Sequence, residues 1–276
     1  MEYVVLVKGV PDFRQGKVKF KEDNTLDRGN TPTVLNPNDQ FALQAALEAK
    51  VKHGGTVHVL TMGPPNYKKI LQEAMSIYAD KCYLLSDRKM GGADTLATAE
   101  TIAGAVRKIG NVDMIFAGFK SADGETGQTG PQTAWKLGWP VVTHVLNWRV
   151  EGERLVAERT AYDEIEEVEA PLPAFIVTDP GFKPVYRQAT HRLKLQDLQE
   201  QTQARLSEFD RHFAAWTAAD LALDEKKIGF KGSPTIVRTV EPIPRAPQER
   251  KATVYDGAKD EDVKAVAKAI VAAVKA

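Results

Sequence analysis

Residues 113–132 read DMIFAGFKSADGETGQTGPQ, an apolar strand-like run that breaks into a glycine-rich loop and then enters a helical pattern. Asp113–Gly118 has the continuous apolar character of a buried strand, and Gly124, Gly127 and Gly130 permit close backbone approach to a ligand. In an open parallel sheet, ligands sit beyond the carboxyl ends of the strands, where N–H groups opening a helix can hold phosphate. Ser121, Gln128 and Thr129 add neutral donors suited to phosphate oxygens. On glycine spacing alone, a long loop without a ligand accounts for the same residues.

Working outward, the same alternation recurs. Glu2–Val10 is a strand run. Asn36–Val51 follows as a helix opened by Asn36-Pro37, with Leu43, Leu47 and Val51 every four residues on one face. Thr56–Met62 is a strand stopped by Gly63-Pro64-Pro65, and Ile70, Leu71, Ala74, Ile77 and Tyr78 stripe the next helix. Lys81–Leu85 is a short strand, and Asp94 caps a helix carrying Leu96, Ala99, Ile102, Ala103 and Val106. This alternation predicts an α/β fold with an open, mostly parallel twisted sheet.

After Trp139-Pro140 the runs Val142–Val150, Arg154–Thr160 and Pro173–Thr178, with acidic Asp163–Glu169 between them, predict an antiparallel addition. Lys183–Glu225 is polar and helix-prone. Phe230–Pro247 contains four prolines and reads as an extended arm. Val263, Val266, Ala267, Ile270 and Val274 line one face of a final helix, which needs either a partner subunit or the chain's own core to pack against. The expected division is an α/β domain over 1–182, a helical segment over 183–229, and a C-terminal arm and helix over 230–276.

Composition narrows the function. Hydrophobic residues make up 43% of the 276 and charged residues 27%, ordinary globular proportions that exclude bulk disorder. Lys plus Arg and Asp plus Glu are both 37, so no chain-wide field draws the protein to nucleic acid or anionic membranes. The single cysteine, Cys82, lies in the strand run KCYLL and reads as a buried inert thiol. The first residues lead straight into a strand without a signal core, so a cytoplasmic protein is expected, with any membrane association made through partners. No G-x-G-x-x-G follows the first strand and no G-x-x-x-x-G-K-[ST] is present. The five histidines include no H-E-x-x-H pair, no Ser/His/Asp set is recognisable from order, and neither a metal site nor a catalytic residue is assigned.

Further strand ends supply ligand candidates: Val7–Asp12, Leu35–Asp39, Leu60–Pro65 and Ala93–Thr98. Each taken singly is turn and cap chemistry. Together they form a pattern: VKGVPD at 7–12, LNPNDQFALQAALEAK at 35–50, HGGTVHVLTMGPP at 53–65, SDRKMGGADTLATAETIAGAVRKIG at 86–110, GFKSADGETGQTGPQTAWKLGWP at 118–140 and KGSPTIVR at 231–238. These six blocks, in this order, resemble the beta subunits of electron transfer flavoproteins, and within them the Fix-type, electron-bifurcating group.

The resemblance implies a Rossmann-like, adenine-nucleotide alpha-hydrolase-like sheet and a C-terminal extended arm. It implies a heterodimer with an electron transfer flavoprotein alpha subunit that carries a flavin. A second nucleotide would lie in this chain's own cleft, FAD in the bifurcating members and structural AMP in the simple carriers. NADH would be the electron donor, with electrons passing to the alpha-subunit flavin and to ferredoxin or flavodoxin, and a membrane-associated quinone oxidoreductase reached through partner subunits. By motif position the nucleotide contacts fall on Leu6, Asn36, Pro37, Asn38, Asp39, Met62, Gly118, Phe119, Lys120, Ser121, Ala122, Asp123, Gly124, Glu125, Thr126, Gly127, Gln128 and Thr129, with Asp94 and Thr95 near the isoalloxazine. Lys8, Lys120 and Arg187 act on the flavin or its phosphates, or are solvated charges. Val185–Leu195 lies where the family's partner-recognition loop is expected but lacks the proline and lysine run of the simple carriers. A stand-alone nucleotide-binding protein of the same fold is the remaining alternative.

Overall fold

The computed structural model describes the chain except residues 16–18, 20–26, 28–29, 77–78, 184–201, 237–253 and 276. Two compact units are present, Met1–Val240 and Glu241–Ala276. The first is built on a nine-stranded sheet. The strands of its parallel half are β1 (Glu2–Leu6), β4 (Thr56–Met62), β5 (Lys81–Leu85), β6 (Met114–Gly118), β10 (Ala174–Thr178) and β11 (Phe213–Trp216). The meander β7 (Val141–Glu151), β8 (Arg154–Ala161) and β9 (Glu164–Pro171) extends it. The strand order is β11-β5-β4-β1-β6-β10-β7-β8-β9. β7 joins β10 in parallel, and the steps to β8 and β9 are antiparallel. The α/β, mostly parallel sheet read from the alternation is the observed architecture.

Four expectations change on contact with the fold. The run Glu2–Val10 is two strands, because the chain leaves β1 after Leu6, and Gly9–Pro11 (β2) pairs antiparallel with Thr33–Leu35 (β3) in a separate two-stranded sheet. The acidic stretch Asp163–Glu169 is not a connector but most of β9, its glutamates held in a cross-strand ladder with Arg149, Arg154 and Arg159. The Pro173–Thr178 run is a parallel strand inserted between β6 and β7 rather than part of the antiparallel addition. Within helix-prone 183–229 the described residues hold a helical turn at 202–207 (α5), but also β11, which pairs parallel with β5 at the sheet edge. Phe213, Ala214, Ala215 and Trp216 suit a strand there because Trp216 stacks against Tyr83, centroids 4.4 Å apart. The expected divisions at 182 and 229 fall inside the first compact unit.

Helices cover both faces. On one, α1 (Pro37–His53) and α2 (Lys68–Ser76) pack over Tyr3, Val5, Val57, Val59, Met114 and Phe116. On the other, α3 (Thr95–Ile109) and α4 (Thr129–Leu137) cover Val4, Leu60, Ile115, Phe175 and Val177. Alternating residues of one strand thus feed two cores, as a two-residue side-chain period requires. The α1 stripe differs from the four-residue spacing: Val51 is 65% exposed, and the buried face is Ala42, Leu43, Ala45, Ala46 and Ala49. Small alanines let the helix lie close on β1 and β6, which the wider leucine-valine stripe would prevent.

In the second unit, α6 (Asp260–Lys275) opens with Asp260, Glu261 and Asp262, a charge order that suits a helix dipole. Val263, Ile270 and Val271 are more than half exposed. The rest of the proline-rich arm from residue 237, the Val185–Leu195 segment with Arg187 and His191, and Ile77-Tyr78 lie outside the described residues. Among the described residues, no helix is long and apolar enough to cross a membrane.

Candidate functional site

From β1 the chain steps sideways through β4 to β5, then crosses back to β6 on the other flank of β1. In open α/β sheets the ligand crevice lies where the strand order reverses, which in this sheet is at the carboxyl ends of β1 and β6. Three segments meet there: the β1–β2 connection at Val7-Lys8, the start of α1 at Asn36–Asp39, and the loop Phe119–Gln128 between β6 and α4.

The polar side chains of these segments bind one another. Lys8 Nζ reaches Asp123 Oδ1 at 2.7 Å and Ser121 Oγ at 3.2 Å, tying residues more than a hundred positions apart. Asn36 Nδ2 donates to Asp39 Oδ1 at 2.9 Å and to the Lys120 carbonyl at 3.0 Å, while its Oδ1 accepts the Ala122 N–H at 3.2 Å. Asn38 Nδ2 donates to the same Lys120 carbonyl at 2.8 Å. The Lys8 N–H donates to Asp39 Oδ2 at 2.8 Å. On the outer side, Lys120 pairs with Glu125 at 3.0 Å, and Glu125 turns the chain in a left-handed conformation at φ 53°. The loop is thereby tied to the chain on both sides of it, and a loop held in one shape costs less to order on binding.

Asp39 is 6% exposed. Burial pushes its carboxyl up to about 7, against the opposing effect of the hydrogen bonds from Asn36 and from the Lys8 N–H. Gly118 is forced by this packing, since a Cβ would sit 2.5 Å from Asp39 Oδ1 and 2.6 Å from the Asn38 carbonyl carbon. Gly130, expected to face a ligand, is used otherwise: it lets α4 approach β10, where a Cβ would stand 3.3 Å from Val177 and 3.4 Å from Phe175. Gly127, at φ 64°, remains a turn that glycine favours.

Of the remaining candidates, Leu6 is buried at the carboxyl end of β1, and Pro37 is the first residue of α1. Met62 closes β4, half-buried beside the core of the α3–α4 face. Phe119 packs against His144, centroids 4.8 Å apart, and His144 meets Asp179 at 3.2 Å. Gly124 and Thr126 lie on the exposed part of the loop, Gln128 precedes α4, and Thr129 begins it. The opening N–H groups of α4 favour an anion.

Asp94 and Thr95 are not joined to this network by hydrogen bonds among the described residues. Asp94 caps α3 by accepting the Ala97 N–H at 3.0 Å, and its other oxygen accepts the Thr235 N–H at 3.0 Å. Its own N–H donates to Ser233 Oγ at 2.8 Å. The segment Gly229–Thr235 is therefore laid across Gly91–Asp94, with the Phe230 N–H on the Gly91 carbonyl at 2.9 Å. Ser233 and Thr235 were legible only as part of the KGSPTIVR block. Asp39 as the hub beneath the loop was legible only as the acid closing N-P-N-D.

A model of the electron transfer flavoprotein domain matches residues 23–210 of this chain. "Electron transfer flavoprotein subunit beta" of Clostridium acetobutylicum is 37% identical over 238 residues, covering 86% of each chain. "Protein FixA" of Azorhizobium caulinodans is 37% identical over 265 residues, covering 93% of this chain and 89% of its own. "Caffeyl-CoA reductase-Etf complex subunit CarD" of Acetobacterium woodii is 35% identical over 243 residues, covering 86% of each.

Proposed function

Because this chain belongs to the electron transfer flavoprotein family, as a beta subunit, we propose that it binds FAD in the β1–β6 crevice and relays electrons from NADH. The alpha-subunit flavin and a ferredoxin or flavodoxin are the proposed acceptors, in flavin-based electron bifurcation. The observation that carries this reading is the folded Phe119–Gln128 loop at the strand-order reversal, cross-linked to Lys8, Asn36 and Asn38 and leading into the amino end of α4.

The residues present fit a dinucleotide. The N–H groups opening α4, with Gln128 and Thr129, would hold phosphate oxygens, and the backbone at Gly124–Gly127 lies open to a ligand. Lys8 and Lys120 are paired with Asp123 and Glu125, so their first task is to shape the loop, and the backbone N–H groups are what it offers an anion. A bound flavin supplies the redox chemistry, and this chain's task is to hold it and set its potential. No general acid or base is needed. Asp94 and Thr95 would lie toward the isoalloxazine, with Gly229–Thr235 as their backing. The likeness to FixA and to a subunit of a caffeyl-CoA reductase–Etf complex supports an assembly with an alpha subunit and a further oxidoreductase, proposed to be quinone-linked. Of the expected arm over 230–276, residues up to Thr235 lie against Gly91–Asp94 of this chain, and the remainder, with α6 presenting Val263 and Ile270, is proposed to pack on the alpha subunit.

The test is nucleotide content of the heterodimer by acid extraction and chromatography, followed by anaerobic NADH titration. Two FAD per heterodimer, both reduced by NADH, are expected. One FAD with one AMP would replace this reading by a simple carrier in which the crevice nucleotide is structural. A heterodimer whose crevice takes neither would overturn it.

A further inference from the structure

We infer that Asp39 is a positioning residue that clamps the β1–β2 connection to the loop after β6, and so sets the crevice in its nucleotide-accepting shape. This rests on the crevice being the nucleotide site. The resemblance places Asp39 among the nucleotide contacts, but its side chain is directed elsewhere. It is 6% exposed: its Oδ2 accepts the Lys8 N–H of the β1–β2 connection at 2.8 Å, its Oδ1 accepts Asn36 Nδ2 at 2.9 Å, and it packs so close to the end of β6 that a Cβ on Gly118 would sit 2.5 Å from Oδ1. Asn36 passes the constraint on, binding the Lys120 carbonyl and the Ala122 N–H. One carboxylate thus fixes both walls of the crevice and the first turn of the loop above it.

The clamp works only as an acceptor. Both groups that hydrogen-bond the Asp39 side chain are N–H donors, so a proton on the carboxyl adds a donor among donors and weakens its hold on one of them. Its site at the first turn of α1 favours the anion, while burial opposes it strongly enough to bring the proton within ordinary buffers, at about 7. The charged groups on the elements packed against it are Lys8 on the β1–β2 connection and Lys120, Asp123 and Glu125 on the loop. The Lys8 ammonium is held by Asp123, and the Lys120 ammonium by Glu125. Acidification through neutrality should therefore loosen the crevice through Asp39.

The experiment uses the full heterodimer stripped of crevice nucleotide and titrated with FAD, or with AMP if it takes only that, between pH 5.5 and 8.5. Affinity is expected to fall about tenfold or more on acidification, the size of effect that follows from losing one buried hydrogen bond. Asp39→Asn, whose amide has one acceptor oxygen where the carboxylate uses two, should bind weakly at every pH with a flat profile after the nucleotide's own titration is subtracted. A second readout needs neither variant nor ligand: the ¹⁵N shifts of the Lys8 backbone amide and the Asn36 side-chain amide should move together with one midpoint. If nucleotide binds with pH-independent affinity and these amides do not titrate together, the clamp is wrong and the nucleotide site stands. If neither nucleotide binds yet the two amides titrate together, the clamp stands and the nucleotide reading fails.

Discussion

The crevice beside β1 and the meander β7–β9 are both rich in charge, and they spend it in opposite ways. In the crevice, Asp39 and Asp123 are 6% exposed as residue and side chain respectively, and both are bound by Lys8, 31 and 115 positions away. In the meander, Arg154 and Arg159 of β8 meet Glu169 and Glu166 of neighbouring β9, and Arg149 of β7 meets Glu151 of its own strand and Glu167 of β9, mostly in open solvent. Buried charges that lose a partner leave an uncompensated cost, whereas exposed pairs trade water for each other at little net gain. The crevice charges therefore define a shape. The meander charges decorate an edge and discourage unwanted strand pairing along β9.

The comparison breaks most visibly at Gly118. Gly118→Ala pushes a methyl to 2.5 Å from Asp39 Oδ1, and a loss of about 1–3 kcal/mol in urea unfolding is expected together with a fall in crevice nucleotide. Unchanged stability and nucleotide content would mean the walls of the crevice are not held as described. Next in size is Lys8→Met, which removes the cation from Asp123 and Ser121. Because Lys8 is partly exposed, about 1 kcal/mol is expected by denaturation, with Lys8→Arg recovering part of the nucleotide affinity.

A pH series sharpens the contrast within the parallel half. At the amino ends of β1 and β4, His58 donates from Nε2 to Glu2 and accepts from the Tyr83 hydroxyl at 3.2 Å, the tautomer that satisfies both. Burial pushes the His58 pKa below 6.5, outweighing the Glu2 carboxylate beside it. Burial alone would raise Glu2, but hydrogen bonds from His58 and Thr56 leave it below 4.5. The unfolded chain then takes up protons that the folded chain resists, so stability is present above pH 6.5 and declines as pH falls below it, with Glu2 adding to the decline below 4.5. His58→Gln should flatten the first part of that decline in thermal melts; a variant that keeps it would assign the acid sensitivity to other groups. The smallest effect is expected from Arg154→Ala, which opens one exposed pair with Glu169. Melting temperature and nucleotide affinity should both stay at the parent values, and a loss matching that of Lys8→Met would erase the distinction between the two regions.

Several strands were legible to the residue. Thr56–Met62 and Lys81–Leu85 are apolar runs closed by glycine, proline or serine, and burial on both faces leaves such runs little alternative. Asp94 as the cap of α3 was equally plain, because capping is decided within four residues. By contrast β9 and β11 were hidden: four glutamates in β9 have low strand preference until arginines of β7 and β8 pair with three of them, and Phe213–Trp216 is too short to declare itself without Tyr83 beside it. The α1 stripe was misplaced for a related reason. Leucines and a valine at four-residue intervals mark one possible face, and it was the closeness of β1 and β6 that selected the alanines instead.

For the site, the six sequence blocks named the segments but not their division of labour. By itself the sequence determined the alternation of strand and helix, the glycine-rich loop after β6 and the family, since these depend on local periodicity and on residues close together in the chain. Only the tertiary structure decided that Lys8 is held by Asp123, that Gly118 yields to Asp39 and Gly130 to β10, and that Asp94 turns toward Ser233 and Thr235. Those choices join residues tens to more than a hundred positions apart, and burial, which sets the cost of leaving any of them unpaired, exists only once the sheet has brought them together.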